Sequence, residues 1–369
     1  MPELEKISIK GFKSIADIDA LTLGTVNILI GANGSGKSNF INVFSFLRDL
    51  KEGRLQDYVR RSGGANRVLH FGVKKTKKIE FFLKFDNEVN QYSIALESTE
   101  NDELYPSKEV VYYWNKEKHA GPYSEIIPSN GSEAGISSPR VTRVASYVID
   151  HFNRWRVYHF HDTSSSSPMK KPSKVADNKY LRADASNLAA FLYLLKMKYE
   201  DSYLLIKAAM KKVFPAFDDF LLSPDFLNVE FISLEWKNRY SDDYFDSSSF
   251  SDGTVRFLAL ATLLLQPPTL RPSIIIVDEP ELGLHPSAIT VLTALVKQAA
   301  VDTQVILSTQ SPFLLDHFSP DQVIVANLEN GATKLTRLDS EELNSWLDDY
   351  SLGQLWEKNE IGGRPIQRG

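Results

Sequence analysis

The chain has 369 residues, a formal net charge of −5 and a hydrophobic content of 43%, which is ample for a large folded core. It contains no cysteine, which excludes disulfides and thiolate metal sites and fits a reducing compartment. The first residues lack the apolar core of a signal peptide, and no apolar run approaches the ~20 residues that span a bilayer. We therefore expect a cytoplasmic protein without a membrane partner, whose acidic balance leaves room for a local basic patch only.

Residues 1–99 predict a mainly β region around a glycine-rich loop. Alternating apolar residues predict strands at 6–10, 78–85 and 91–96. A β-branched apolar run at 25–30 predicts a buried strand, and apolar residues at helical spacing follow at 39–47. The glycine-rich loop lies between that strand and that helix.

This loop has the spacing of a phosphate-binding loop. Gly31 to Ser38 match G-x-x-x-x-G-K-[ST], in which backbone N–H groups and a helix N-terminus meet a polyphosphate. We expect Lys37 to reach the β- and γ-phosphates and the Ser38 hydroxyl to bind Mg²⁺. The candidate nucleotide-binding residues here are Asn33, Gly34, Ser35, Gly36, Lys37, Ser38 and Asn39. The sequence therefore predicts a bound nucleoside triphosphate.

Residues 100–250 predict a lobe inserted into the nucleotide-binding core. Frequent prolines and a serine run at 164–167 predict long loops between 100 and 180. Helical patterns then occur at 185–195 and 203–214, and a strand pattern occurs at 228–234.

Residues 251–369 predict the return of the α/β core. The patterns predict helices at 253–265, 286–300 and 313–317, and strands at 273–277, 303–307 and 321–326. We expect these strands to complete the sheet that the phosphate-loop strand begins more than two hundred residues earlier. No heptad stretch is long enough for a coiled-coil arm.

Two adjacent carboxylates follow the buried strand at 273–277. Asp278 at the strand end is placed to hold Mg²⁺, directly or through water, together with Ser38. Glu279, one residue further, is placed to polarise the attacking water. The pair therefore predicts hydrolysis of the bound nucleotide.

A second anion site is predicted at the start of the helix at 253–265. Ser251 and Gly253 place a hydroxyl and a glycine at a helix N-terminus, which favours an anion. One nucleotide does not need two cradles for its γ-phosphate. We therefore expect this site to serve the nucleotide of another subunit.

The order of these three motifs resembles that of ABC-type ATPases of the SMC, RecF and OLD-like branch. Ile9 to Ser14 look like the opening strand of the SMC and RecF proteins. Asp278 to Pro286, Ser308 to Pro312, and the endings 352–359 and 361–365 are similar to compact predicted ATPases of bacteria. The resemblance implies an α/β fold, an ABC-type P-loop NTPase head with a mixed sheet core, flanking helices and an inserted α+β lobe. It covers 100–180 poorly.

The same resemblance implies a head-to-tail homodimer that encloses two ATP molecules and Mg²⁺. Lys13 and Ser14 would contact the phosphates, and Gln56 would be the Q-loop side chain near Mg²⁺. The D-loop would be 281–285. Gln310 stands where many relatives have the switch histidine, and a glutamine can donate a hydrogen bond but cannot relay a proton. We therefore expect Gln310 to sense ATP and turnover to be slow.

Other motifs predict ordinary structure. His159 and His161, with His151 nearby, suggest a metal site, but no further ligand set is visible, which favours plain strand residues. The basic run at 74–78 is typical of a solvated turn before a strand, with a phosphate-backbone contact as the alternative.

The leading functional hypothesis is an ATPase whose ATP-dependent dimer controls a separately encoded effector, as in bacterial anti-phage operons of similar proteins. No TOPRIM nuclease module is visible in 330–369. The alternative is a RecF-like ATPase that binds DNA in repair. The nucleotide-binding subunit of a membrane transporter and a nucleotide kinase fit less well, since a kinase leaves Ser251 and Gly253 unexplained.

Overall fold

The computed structural model describes residues 2–164 and 166–364, so Ser165 of the serine run and Pro365 of the ending lie outside the described residues. Its strands are, in chain order, β1 (Leu4–Phe12), β2 (Ile15–Thr22), β3 (Val26–Ile30), β4 (Lys78–Phe85), β5 (Asn90–Ser98), β6 (Leu104–Tyr113), β7 (Tyr123–Ile126), β8 (Trp155–Tyr158), β9 (Ser173–Lys174), β10 (Phe217–Leu221), β11 (Phe231–Ile232), β12 (Glu235–Asn238), β13 (Tyr244–Asp246), β14 (Ile274–Asp278), β15 (Gln304–Thr309), β16 (Val323–Glu329) and β17 (Ala332–Arg337). Its helices are α1 (Lys37–Lys51), α2 (Leu55–Arg61), α3 (Ala65–Val68), α4 (Arg143–Asn153), α5 (Leu188–Lys198), α6 (Glu200–Val213), α7 (Asp252–Leu265), α8 (Pro286–Ala299), α9 (Pro312–Leu315), α10 (Ser340–Leu347) and α11 (Leu352–Glu357). Among the described helices, none is long and apolar enough to cross a membrane, and the longest, α1, has 15 residues, too few for a coiled-coil arm.

The chain forms two compact units. The first unit contains residues 1–155 and 318–369, and the second contains residues 156–317. These units group residues that contact one another in space. The predicted boundaries at 99/100 and 250/251 instead divide the sequence into a core and an inserted lobe. The predicted boundaries therefore stay a prediction.

The first unit contains a six-stranded antiparallel sheet in the order β2-β1-β4-β5-β6-β7. Along β4 every second residue is buried, as its alternating sequence predicts. Helix α1 covers this face, where the ring of Phe46 lies 5.3 Å from that of Phe12 and 5.5 Å from that of Phe81. Burial of each ring stabilises the unit by ~2 kcal/mol, so α1 and the loop before it are held firmly on the sheet.

The long loops predicted between 100 and 180 are wrong in part, because strand β6 and helix α4 lie there. Strand β6 pairs with β5 despite Pro106, which lies opposite Leu96 next to a register shift in the ladder. A proline is tolerated at such a bulge because no ladder hydrogen bond from its nitrogen is needed. The proline content therefore concealed a strand of the main sheet.

A second set of strands in the first unit carries the phosphate loop. Strand β3 is buried along its whole length and pairs in parallel with β16, with Ile28 opposite Val323. Strand β16 continues antiparallel into β17. The prediction that the phosphate-loop strand is completed by strands more than two hundred residues later is confirmed by this pairing.

The second unit is built around the parallel pair of β14 and β15, both almost entirely buried. Helix α7 is buried over nearly all of its length, as expected from its apolar sequence, and α6, α7 and α8 pack on one another. Parallel strands end at the same edge of a sheet, and the register places Asp278 beside Ser308. A small antiparallel sheet, β10-β12-β13, completes this unit.

The strand predicted at 228–234 is wrong for most of its length, since β11 contains Phe231 and Ile232 alone. The Asp225 carboxylate accepts hydrogen bonds from the backbone N–H groups of Leu227, at 2.8 Å, and Asn228, at 2.9 Å. Such a local turn competes with strand pairing for the same backbone groups.

Candidate functional site

The phosphate loop of the first unit folds around the Lys37 ammonium group. Lys37 is buried, and its Nζ donates hydrogen bonds to the carbonyl oxygens of Gly31, at 2.6 Å, and Ala32, at 3.1 Å. Helix α1 begins at Lys37 with Gly36 as its N-cap residue, and Gly36 has a φ of 99°, a conformation that favours glycine. The positive end of the helix macrodipole therefore lies at the loop, which is the arrangement that binds phosphate.

Ser14 and Asn39 lie beside this loop. The Asn39 side chain, in the first turn of α1, donates a 2.7 Å hydrogen bond from Nδ2 to the Ser14 hydroxyl. The Ser14 hydroxyl also contacts that of Thr333 at 2.7 Å. The structure thus brings these two predicted residues together and adds Thr333, for which the sequence offers no local signal.

Lys13 lies at the junction of two grooves of the first unit. Its Nζ is 5.5 Å from the ring centres of both Phe12 and Tyr58, and burial lowers the pKa of Lys13. An ammonium group that is partly removed from water gains more from an anionic partner than an exposed one does. Lys13 is therefore a suitable candidate for a phosphate contact.

Gln56 lies in a different environment from the one predicted. It is buried on α2, where its Nε2 donates to the carbonyl oxygens of Leu104, at 2.7 Å, and Ser132, at 2.9 Å. Its Oε1 is closed off from solvent. This is the environment of a structural side chain and not of a metal ligand, so we leave Gln56 out of the proposed site.

In the second unit the two predicted catalytic carboxylates lie at the end of β14: Asp278 is its last residue and Glu279 follows it. The Ser308 hydroxyl donates a hydrogen bond to Asp278 Oδ1, and the Glu279 N–H donates to the Ser308 carbonyl at 2.8 Å. Glu279 has a φ of 46°, a left-handed conformation that costs a residue with a side chain ~1 kcal/mol or more. Strain of this kind is found where neighbouring structure holds a functional side chain in place.

Gln310 contacts Glu279 directly, since its Nε2 donates a hydrogen bond to Glu279 Oε1. The next acidic residue, Glu281, accepts hydrogen bonds from the Thr309 hydroxyl, at 2.5 Å, and from the Gln310 N–H, at 3.3 Å. Burial raises the pKa of Glu281. Sequence reasoning placed Glu281 in the D-loop but missed its contacts with Thr309, the last residue of β15, and with Gln310.

Ser251 and Gly253 form the exposed start of α7. The Ser251 hydroxyl accepts the Thr254 N–H at 3.2 Å, as an N-cap residue does. A Cβ on Gly253 would lie 2.3 Å from the Gly283 carbonyl oxygen, so a glycine is required for this close approach. The helix start is thus fixed against the predicted D-loop while its Ser251 side remains open to solvent.

Arg256 is a further residue that sequence reasoning missed. It is buried on α7 and donates hydrogen bonds to the carbonyl oxygens of Phe160, at 2.8 Å, His161, at 3.0 Å, and Leu282. The guanidinium group therefore joins α7 to two other segments of the second unit. A single arginine inside an otherwise apolar helix is the signal that could have identified it.

The remaining motifs have structural roles. Lys74 and Lys75 are exposed in a turn, Lys77 is exposed before β4, and Lys78 is the exposed first residue of β4, which confirms the predicted solvated turn before a strand. His151 bonds to Glu3 and Asp86, His159 and His161 are exposed, and the described residues contain no cluster of metal-binding side chains.

Comparison with known proteins shows the family and the fold. Residues 26–316 match the family described as "AAA domain, putative AbiEii toxin, Type IV TA system". The search of curated proteins found no match.

The fold is similar to that of SMC head domains. One is the crystal structure of the SmcHead bound to the C-winged helix domain of ScpA, with 18% identity, a TM-score of 0.63, and coverage of 92% of this chain and 99% of the other. Another is the Smc head domain with an extended coiled coil bound to the C-terminal domain of ScpA from Pyrococcus furiosus, with 16% identity, a TM-score of 0.58, and coverage of 95% and 99%. The chain therefore belongs to the AAA-domain family of AbiEii type, and it has the fold of an ABC-type P-loop ATPase head, with no coiled-coil arm among the described residues.

Proposed function

We propose that the chain is an ATP-dependent switch that dimerises around two ATP molecules and hydrolyses them slowly. The observation that carries this proposal is the exposed Ser251 at the start of α7, which is held in place by its own unit and is open to a second copy. Family and fold support the ATPase class, in which the phosphate loop binds the nucleotide. Closure of two copies is then the signal.

The contact between Glu279 and Gln310 supports slow turnover. A general base must accept a proton from the attacking water, and in this state Glu279 Oε1 accepts the Gln310 amide instead. Gln310 has no proton to relay, because an amide does not titrate. Hydrolysis therefore requires this pair to rearrange. ATP should then stay bound for a long time before it is hydrolysed.

The donor set fits Mg²⁺ delivered with the nucleotide. Ser38 offers a hydroxyl and Asp278 a carboxylate, and Mg²⁺ prefers such hard oxygen ligands together with substrate phosphates. The described residues contain no cluster of acidic or histidine side chains that could hold the ion alone. When bound, Mg²⁺ would supply charge neutralisation at the phosphates, while Lys37 and the loop N–H groups orient them.

A protein partner is supported by an exposed apolar loop of the second unit. Phe226 is 95% exposed, Leu227 is 92% exposed, and Asp225 holds their loop in a turn. Residues 214–250 contain eight acidic and two basic residues, so this surface fits a partner with basic side chains around an apolar groove. We propose that it binds the separately encoded effector, in an anti-phage or toxin–antitoxin setting of the kind that the family description names.

The composite site is tested by mixing two inactive variants. Lys37→Ala removes the phosphate contact of one copy, and Ser251→Arg blocks the helix start of the other. In a mixed dimer, one of the two sites has an intact phosphate loop and an intact helix start. ATP-dependent dimers and ATPase turnover should therefore reappear on mixing. If each chain uses its own Ser251, mixing restores nothing, and the proposal is wrong.

The effector surface is tested with Phe226→Ser and Leu227→Ser together, against Val301→Ser, an exposed apolar residue elsewhere in the same unit. A candidate effector is first captured with the Glu279→Gln chain and ATP, then purified. The loop variant should lose binding to this protein and the control should keep it. Equal binding by both would refute the assigned surface.

DNA binding is the second candidate function, and a basic groove in the first unit favours it. The groove has a volume of ≈ 740 Å³ and is lined by five basic and two acidic residues, among them Lys13, Arg48, Arg60, Asp49 and Asp57. Asp49 pairs with Arg54 and Arg61, so part of the charge is already neutralised. Reversing Arg48 and Arg60 to Glu should abolish salt-dependent duplex binding if this function is real. Unchanged binding would exclude this groove.

A further inference from the structure

Thr333 lies beneath the phosphate loop, although almost three hundred residues separate the two in sequence. It is the second residue of β17 and is 2% exposed. Its hydroxyl donates a 3.0 Å hydrogen bond to the carbonyl oxygen of Ser35 in the loop. Its backbone N–H donates a 2.7 Å hydrogen bond to the carbonyl oxygen of Ser14. One residue therefore joins the loop to the turn between β1 and β2.

The directions of the side-chain hydrogen bonds are determined by the number of protons. A hydroxyl has one proton, and that of Thr333 is donated to Ser35. The 2.7 Å contact between the Ser14 and Thr333 hydroxyls therefore has Ser14 as the donor. Ser14 in turn accepts the Asn39 amide at 2.7 Å. The result is a four-membered chain that runs from α1 through Ser14 and Thr333 to the phosphate loop.

The atoms around this series of hydrogen bonds are closely packed. A Cβ on Gly36 would lie 1.8 Å from Thr333 Oγ1 and 2.8 Å from Ser14 Oγ, so the loop backbone rests directly on the two hydroxyls. Buried polar groups are satisfied by partners in nearly all structures, and an unpaired Ser35 carbonyl at this place would be costly. The loop conformation thus depends on the hydroxyl of Thr333 and not on its size alone.

We propose that Thr333 is a positioning residue for the phosphate loop, which holds the Ser35 carbonyl and the Ser14 hydroxyl so that the loop is preformed for a polyphosphate. This inference rests on the proposed ATP binding and deepens it. It also assigns Ser14 a new role, since its proton is already donated to Thr333. Ser14 then contributes to phosphate binding by fixing the conformation of the loop, and it does not donate a hydrogen bond to the phosphates.

Two substitutions of Thr333 separate hydrogen bonding from packing. Thr333→Val keeps the shape and removes the hydroxyl, whereas Thr333→Ser keeps the hydroxyl and removes the methyl group. If the hydroxyl positions the loop, Val weakens ATP binding about tenfold and Ser binds ATP within about twofold of the unchanged chain, because a buried hydrogen bond is worth about that factor. The dissociation constant is measured by calorimetry on the full chain, with Lys37→Ala as the non-binding control.

Steady-state kinetics supply an independent readout. A preformed loop binds the ground state and the transition state alike, so Val should raise KM and leave kcat nearly unchanged. If Thr333 serves packing alone, Thr333→Val should bind ATP almost as well as the unchanged chain and Thr333→Ser should bind it more weakly. That result would overturn the inference. If the unchanged chain does not bind ATP, the proposed function itself fails, which is a different result.

A variant of Ser14 covers the case in which Thr333→Val does not fold. Ser14→Ala removes the donor to Thr333 and should weaken ATP binding in the same direction as Val. If both single variants fold, the double variant should bind ATP no more weakly than the weaker-binding single variant. The reason is that the effects of substitutions at neighbours in one series of hydrogen bonds do not add. Normal ATP binding by Ser14→Ala would contradict the inference.

Discussion

At the scale of single residues, the proposed chemistry depends on the contact between Glu279 and Gln310. Glu279 is held in a left-handed backbone conformation, and its carboxylate accepts the Gln310 amide. An amide donor occupies a carboxylate oxygen that would otherwise be open to an attacking water. We therefore attribute the proposed slow turnover to this pair.

Replacement of Gln310 by histidine should accelerate hydrolysis. Imidazole has a pKa near neutrality and can move a proton, which glutamine cannot, and such catalysis contributes ~10² or more. We expect phosphate release by Gln310→His to rise at least ~10-fold near pH 7. Gln310→Ala is the control, since it also frees Glu279 but supplies no proton carrier. Equal rates for the two variants would show that the amide merely blocks the carboxylate.

His151 gives the first unit a stability that depends on pH. Burial alone would lower its pKa, but hydrogen bonds to Asp86, at 2.9 Å, and Glu3, at 2.8 Å, outweigh burial and raise the pKa to about 9. The same contact lowers the pKa of Asp86. A group whose pKa is higher in the folded state than its usual ~6.5 contributes full stability below that value and loses it as pH rises through the folded pKa.

His151→Gln should therefore destabilise the chain at pH 6 by about 2 kcal/mol, and this difference should shrink as the pH rises through about 9. The measurement is the free energy of unfolding in urea at several pH values. A destabilisation that is the same at both ends of this range would contradict the charged His151.

At the scale of elements, the start of α7 and the segment 281–285 form one contact. Gly253 lies against the Gly283 carbonyl, and Arg256 donates to the Leu282 carbonyl. The predicted second anion site and the predicted D-loop are thus coupled within the second unit. A substitution in one of these two segments should therefore also displace the other.

Gly253→Ala should separate these two segments. Its Cβ would meet backbone at 2.3 Å, which cannot yield as a flexible side chain does, so we expect a loss of ~1–3 kcal/mol of stability. Thermal unfolding measures this loss, with Gly121→Ala as the control because nothing lies within 4 Å of that position. Similar melting temperatures for the two variants would refute the close contact.

The sequence predicted the elements whose signals are local. The phosphate loop with β3 and α1, and the carboxylates at the end of β14, depend on spacing within about a dozen residues, and the structure has these elements there. Strand β6 was missed because the bulge that tolerates Pro106 depends on its partner β5. The contacts of Gln56 with Leu104 and Ser132 could not be predicted, because these partners lie in distant segments. Thr333 could not be found, since nothing near it in sequence indicates the loop it supports.

At the scale of the whole molecule, we propose a switch that is completed by a second copy of the chain. In the proposed switch, Lys37 and Ser38 would bind the nucleotide, Asp278 and Glu279 would act on it, and Ser251 of a second copy would close over it. Such a dimer is stabilised by ATP through mass action and is lost on hydrolysis. A variant that binds but does not hydrolyse should therefore trap it.

The most direct measurement is the mass of the Glu279→Gln chain in solution, by light scattering after gel filtration, with and without ATP and Mg²⁺. We expect ATP, but not ADP, to double the mass of this variant, and the added Ser251→Arg substitution to abolish the change. Turnover by Glu279→Gln should fall by at least ~10²-fold, as expected for loss of a general base. If ATP leaves the mass unchanged and turnover is unaffected, both the composite site and the role of Glu279 are wrong.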